Sequence, residues 1–364
     1  MEPQALNTRL AVVTGAAGQD ARYLIPELLR RGYEVHAFVR SDAAGAFDEK
    51  DAQLQVHAFD LASSSAAAAD AIAALRPAVV FNFAGQSSVA ASFERPHLSW
   101  ALNAEWPAVL LDAIRRHSPE TRVYQASSSE MFGCLPGESV VHDEQSAFRP
   151  QSPYAASKAA AHLLCGVYRQ SFGIRVACGI LFNHESRYRG EPFVTTKITR
   201  HVRALRALPA SERDRFAPLR VGRLDVQRDW GWAAEYARGI LMIADQIEAR
   251  RARGGEDADV ASNYRDYVLG TGVLTSVREL IDRAFALGGV DLDWHVQADG
   301  RGHALFAGTG VIAVESAPEF YRAAEPKAIQ ADPSRARNEL GWRATPDIDV
   351  FLKDMIFDGE GAPR

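Results

Sequence analysis

Tyr154 and Lys158 stand four residues apart in YAASK, a spacing that one helical turn converts into a shared face. A cation beside a phenol on such a face lowers the phenol's pKa and readies it to take a proton. The pair also arises by chance, so its neighbours matter. YQASSSEMFG precedes it and ends a strand-like run with hydroxyls and one carboxylate. Ser128, Glu130, Tyr154 and Lys158 are therefore the candidate catalytic set. Three serines followed by glutamate are also a strand-to-helix capping turn, and that reading stays open.

A second constellation lies near the N-terminus. LAVVTG runs into GAAGQDA, with Gly15, Gly18 and Ala21 in a GxxGxx(G/A) register and Gln19 and Asp20 inside the turn. Glycines there allow a tight turn and close approach of a phosphate, and the helix that follows offers unpaired N–H groups to a pyrophosphate. Such a turn in a first βα unit points to a dinucleotide, whose ribose Lys158 and Tyr154 would meet. The second strand ends at Arg40 rather than at an acid, which favours the 2′-phosphate of NADP over NAD; alternatively Arg40 is a solvated surface residue. Asp60, with Leu61, ends the third strand and is placed either to accept from an adenine amino group or to cap the next helix.

These residues need a scaffold that brings strand ends together. Strand patterns at 10–15, 33–40, 53–60, 77–85 and 121–128 alternate with helical patterns at 21–31, 62–75 and 104–116. That rhythm predicts an α/β fold with a Rossmann-like parallel sheet, and it puts the glycine turn at the sheet's carboxyl edge. A helix over 153–172 and a strand over 174–183 continue it. Beyond 183 the alternation weakens, although 233–247 reads as helix, 249–263 as an exposed loop, 266–270 as strand, and Ser276 with Glu279 as a capping box. The expected division is a dinucleotide-binding domain from 1–183 and 231–271, with a smaller C-terminal α/β substrate-binding lobe from 184–230 and 272–364.

Bulk properties narrow the partners. The 364 residues carry 41 basic and 46 acidic side chains, a formal charge of -5, so neither a nucleic-acid surface nor an anionic membrane is the expected partner. Cys134, Cys165 and Cys178 lack metal-ligand spacing, no metal is expected, and they read as buried thiols rather than disulfides. The polar leader MEPQALNTR suggests no export signal, and a cytoplasmic setting is expected.

VTGAAGQD, FNFAGQSSVAASFERP, YQASSSEMFG, SPYAASK, GILFNHES, PFVTTKI and LDVQRDWGWAAEY occur in that order. Together they resemble the blocks of the extended short-chain dehydrogenase/reductase superfamily, and within it the GDP-mannose 4,6-dehydratases, from about Leu10 to Trp342. The resemblance implies that Ser128 holds the sugar O4, Glu130 is the acid/base, Tyr154 the hydroxyl base and Lys158 its partner. It implies a nucleotide-sugar pocket from Ser87, Asn183, Lys197, Arg223, Arg228, Arg322 and Glu325, with His184, Glu185 and Ser186 shaping a loop. The implied reaction is internal: C4 is oxidised through NADP, water leaves from C5 and C6, and the hydride returns to C6. A homodimer through the helices near 104–116 and 153–171 is expected, with a tetramer possible.

The sequence departs from the family at Ser41, where a second arginine is usual, and at Arg187 and Tyr188, Arg223, and Ala323 and Ala324. The stretches 209–219 and 249–263 are also unusual. A dehydratase of another hexose or heptose, a nucleotide-sugar 4-epimerase, and an inactive NADP-binding regulatory protein are the competing readings. Glu130 argues against the epimerase, which needs no C5 proton abstraction.

Overall fold

Apolar runs that leave no face for water build the centre of the molecule. In the computed structural model, which describes residues 7–47, 52–133, 139–253, 265–321 and 327–357, the first runs become β1 (Asn7–Thr14), β2 (Glu34–Val39), β3 (Leu54–Ala58), β4 (Pro77–Asn82) and β5 (Arg122–Ser128). Between them lie α1 (Gln19–Arg30), α2 (Leu61–Leu75), α3 (Val89–Glu94), α4 (Pro96–Trp100) and α5 (Trp106–His117). The chain continues through β6 (Ser139–His142), α6 (Pro153–Phe172), β7 (Val176–Leu181), β8 (Asn183–Glu185), α7 (Val194–Arg206), β9 (Leu219–Val221), β10 (Gln227–Trp232), α8 (Ala233–Arg253) and β11 (Tyr267–Leu269).

Seven strands form one parallel sheet in the order β3-β2-β1-β4-β5-β7-β11. The direction of winding reverses between β1 and β4, which opens a crevice at their carboxyl ends. Leu24, Ile25 and Leu28 of α1 cover one face together with Tyr236, Ile240 and Ile243 of α8. Ile72 of α2 and Trp106, Leu110 and Ile114 of α5 cover the other. The predicted Rossmann-like α/β fold is thus the observed one.

The rest of the chain supplies β12 (Leu274–Ser276), β13 (Leu292–Val296), β14 (Gly302–Phe306), β15 (Ile312–Ser316) and β16 (Ala328–Ala331), with helices at Val277–Leu287 and Asp349–Ile356. One smaller sheet runs β12-β10-β16-β6 with β8 beside β10, and another runs β13-β14-β15-β9. Ile198, Leu280, Phe285 and Leu352 join their helices into a separate core. Asp229, fully buried, fastens β10 to its surroundings: one oxygen accepts from Thr271 N and Oγ1 at 2.8 and 2.6 Å, the other from Gly272 N and Ala331 N at 2.8 and 3.2 Å. The Ser276 and Glu279 capping box forms as predicted.

Three segments differ from the sequence expectation. β6 lies within 1–183 yet pairs with β16 in the smaller sheet. Ala336 and Trp342 lie within 272–364 yet pack into the core of the large sheet. Finally α8 runs to Arg253, where a loop was expected from 249; the charges of EARRAR suggested a solvated loop, but Glu, Ala and Arg are strong helix formers. Residues 254–263 of that stretch lie outside the described residues, and Ala210–Arg215 in the other unusual stretch form a 3₁₀ turn. Among the described residues no helix is long and apolar enough to cross a membrane.

Candidate active site

The turn between β1 and α1 is built for a close neighbour. Gly15 has φ +67°, and a Cβ there would lie 2.7 Å from the Ala84 backbone nitrogen, so both conformation and space require glycine. Gly18 precedes α1 without any side-chain cap, which leaves the helix's first N–H groups unspent at its positive end. Ala21 is fully buried beneath. These features fit the pyrophosphate of a dinucleotide.

The side chains of Gln19 and Asp20, expected among the cofactor-binding residues, are tied across the crevice. Gln19 donates to the His184 carbonyl at 2.8 Å and accepts from Ser186 Oγ at 3.1 Å, while Asp20 Oδ1 lies 2.9 Å from His184 Nε2. Two residues long enough to reach across the crevice have found polar partners on β8 and the residue after it. Their backbone N–H groups alone remain at the helix terminus. Asp60 acts as the helix cap: Ala62 N donates to Oδ1 at 3.1 Å and Ser63 Oγ to Oδ2 at 2.9 Å. This is the alternative left open in the sequence, and the adjacent Leu61 begins α2. Arg40, at the end of β2, is exposed and meets Asp42 at 3.1 Å.

Buried polar contacts hold the strand ends in register. Thr14 Oγ1 donates to Asn82 Oδ1 at 2.5 Å, Asn82 Nδ2 to Gln125 Oε1 at 2.7 Å, and Trp106 Nε1 to Asn82 Oδ1 at 2.9 Å. At the end of β5, Ser128 Oγ accepts from Glu130 N at 3.3 Å. The serine thus caps the turn that carries Glu130, as the capping reading held. It also bears on the chemistry, because its hydroxyl favours the Tyr154 phenolate. Ser152 caps α6, and Pro153 occupies its first position, which sets Tyr154 and Lys158 on successive turns.

Burial pushes the Tyr154 phenol up to about 12; the Ser128 hydroxyl and Arg189 oppose this, while Glu130 and Asp20 add to it. The groups that lower the phenol are Ser128 and Arg189 rather than the expected Lys158. Lys158 Nζ instead donates to the Ala126 carbonyl at 3.1 Å, and burial brings the ammonium down to about 8 against the pull of Asp20. The cation that favours the phenolate is Arg189. It pairs with buried Glu185 at 3.3 Å and lies 3.5 Å over the Phe193 ring.

Arg189 was not singled out in the sequence, where RYRGEP offers two arginines with nothing to rank them. Asn103 was missed as well. It sits in a π turn, Ala101–Glu105, of the kind often found at functional sites. Its Oδ1 accepts from Gln86 N at 2.9 Å, and its Nδ2 donates to Gln86 O at 3.0 Å and Ser157 Oγ at 3.2 Å. Asn103 therefore pins the loop after β4 to α6 beside Lys158. The helical pattern predicted from 104 could not show that turn.

Of the substrate candidates, Ser87 is exposed in the loop after β4, and Asn183 is paired opposite Trp230 in β8. Lys197 Nζ lies 3.6 Å over the Phe320 ring. Arg223 makes a two-pronged pair with Asp225 at 3.0 and 2.7 Å, and Arg228 is buried, donating to the Gln227 carbonyl at 2.8 Å. Arg322 and Glu325 lie outside the described residues. Cys165 and Cys178 are free and buried; Cys134 is outside the described residues. His162, Cys178 and Asp266 bring donor atoms within 4.8 Å of one another. Asp266 is already held by Arg169 and Cys178 N, and His162 meets Ser127 Oγ at 2.9 Å.

The fold has solved relatives. A UDP-glucose 4-epimerase from Thermus thermophilus, determined with NAD, superposes with a TM-score of 0.72 at 23% identity, covering 97% of this chain and 100% of its own. A dTDP-glucose 4,6-dehydratase from Bacillus anthracis gives 0.70 at 16%, covering 98% and 97%. At the level of sequence, the curated GDP-mannose 4,6-dehydratase of Sinorhizobium fredii is 36% identical over 96% of this chain and 95% of its own length. Those of Vibrio cholerae and Arabidopsis thaliana are 34% and 33% identical over 96% of this chain, and 93% and 89% of theirs. The family model for GDP-mannose 4,6 dehydratase matches residues 12–355, which include the glycine turn, the serine–glutamate turn and the tyrosine–lysine pair. The chain is a member of the GDP-mannose 4,6-dehydratase family.

Proposed function

We propose that the protein is a nucleotide-sugar 4,6-dehydratase that converts GDP-mannose to GDP-4-keto-6-deoxymannose with NADP. The observation that carries this reading is Glu130, on a turn capped by Ser128 and electrostatically coupled to the Tyr154 phenol. Oxidation and reduction at C4 alone need the tyrosine; a carboxylate beside it adds the group that a C5 proton and a departing C6 hydroxyl require.

In this assignment Tyr154 takes the proton of the C4 hydroxyl and Ser128 holds the same oxygen. Glu130 removes the C5 proton once C4 is a ketone and delivers a proton to the leaving C6 hydroxyl. A nicotinamide held at the glycine turn would supply the hydride chemistry between C4 and C6, and a proton is returned to C5 as the cycle closes. Arg189 favours the phenolate against a pKa raised by burial to about 12, and Lys158 is assigned to the cofactor ribose. Asn183, Lys197, Arg223 and Arg228, with Arg322 and Glu325, are assigned to the GDP moiety. The dinucleotide domain comprises 1–183 and 231–271 apart from β6, and the substrate lobe 184–230 and 272–364 apart from the segment around 336–342.

NADP is favoured by Arg40, an exposed cation at the end of β2. A homodimer is supported by Trp100 of α4 and Leu163 and Val167 of α6, which are 52%, 59% and 49% exposed on contiguous helices. A cytoplasmic setting is part of the same proposal. Mass spectrometry of the protein with NADP and GDP-mannose, GDP-mannoheptose, UDP-glucose or CDP-glucose tests the proposal. The expected result is loss of one water, about 18 Da, from GDP-mannose without accumulation of NADPH. A donor of unchanged mass converted to its C4 epimer would make the protein an epimerase.

A further inference from the structure

The motifs GQD and FNHES face each other across the crevice, and the proposed chemistry uses none of their longest polar side chains. His184 is buried, with its imidazole stacked on the Tyr236 ring at 4.5 Å and 18°. Its Nδ1 lies 2.6 Å from the Phe182 carbonyl oxygen, which can only accept, so Nδ1 carries a proton. Its Nε2 lies 2.9 Å from Asp20 Oδ1. Among the described residues neither atom has another hydrogen-bond partner. A bare Nε2 would set a lone pair against a carboxylate at that distance, whereas a second proton turns the contact into an ion pair.

Asp20 occupies the first turn of α1, where a pyrophosphate would bind. An unpaired carboxylate there would offset the positive end of the helix dipole and repel the phosphates. We propose that His184, held as an imidazolium against Asp20, cancels that charge, so that the pair is a positioning device which keeps the helix terminus receptive to a dinucleotide and ties it to β8. Gln19 adds a second tie through the His184 carbonyl and Ser186. The groups facing the ring are Asp20 from α1, Tyr236 from α8, the Phe182 carbonyl, and Arg189 from the following loop. Burial opposes the charge on the ring and so does Arg189, but Asp20 and the carbonyl outweigh them, and the His184 pKa is raised.

The inference rests on the dinucleotide reading above, and two measurements separate the two. Nitrogen-15 NMR of histidine-labelled protein without ligand, with the His184 signals assigned by their loss in His184→Asn, is expected to show both ring nitrogens protonated at pH 7. A neutral ring overturns the pair whatever the enzyme turns over. Fluorescence titration with NADPH is expected to show His184→Asn weakened by roughly ten- to hundredfold, because a lone carboxylate then faces the phosphates. The double variant Asp20→Asn/His184→Asn is expected to recover to within a few-fold of the unsubstituted protein. A double variant as weak as the single one makes the histidine merely structural and overturns the charge-cancelling role. Unsubstituted protein that binds neither NADPH nor NADH overturns the dinucleotide reading, and the role of the pair with it.

Discussion

Lys158 carries opposite demands, one from the fold and one from the chemistry. Burial brings its pKa down to about 8, well below the value near 10.4 of an unfolded lysine. Between those values the unfolded chain holds a proton that the folded chain has released, so this group makes stability rise with pH through that window. Below pH 8 the full cost of a buried ammonium is present. Lys158→Met should therefore raise stability at pH 7 by about 1–3 kcal/mol and flatten the rise between pH 8 and 10, while turnover is lost; denaturant melts across pH check the first part. Arg40→Ala should weaken NADP binding about tenfold and leave NAD binding unchanged, as isothermal titration would report. At this scale the sequence located Ser128, Glu130, Tyr154 and Lys158 as neighbours. It could not show which way Gln19 and Asp20 point, because a polar residue in a glycine turn has partners on a strand more than 160 residues away. Nor could it separate Asp60 as a cap from Asp60 as a ligand, since one carboxylate at a strand end serves either.

Among the elements, the parallel sheet was legible because apolar runs closed by turn signals, as in LAVVTG, alternate with helical patterns. The smaller sheets were not, because β8, β9 and β12 are three residues each and their partners come from distant segments. The RDWG motif shows what such a segment depends on. Asp229 satisfies four donors from two distant stretches of chain, so Asp229→Ala should leave those donors unpaired in the interior. A loss of about 3–5 kcal/mol is expected from chemical denaturation. Ser276→Ala, which removes only the exposed cap of a helix, should cost about 1 kcal/mol and leave turnover intact.

For the whole molecule, the exposed apolar side chains on α4 and α6 favour a second copy as the covering partner. The double substitution Leu163→Asp and Val167→Asp is expected to convert a dimer to a monomer in light scattering; an unchanged mass would place the interface elsewhere. In the proposed dehydratase cycle one hydride never leaves the site. GDP-mannose carrying deuterium at C4, incubated with the enzyme and unlabelled NADP, tests it most directly by NMR of the product. A 4-keto product one water lighter, with the deuterium at C6 and none in NADPH, is the predicted result. Deuterium at C4 of an epimer, or released into free NADPH, would contradict it.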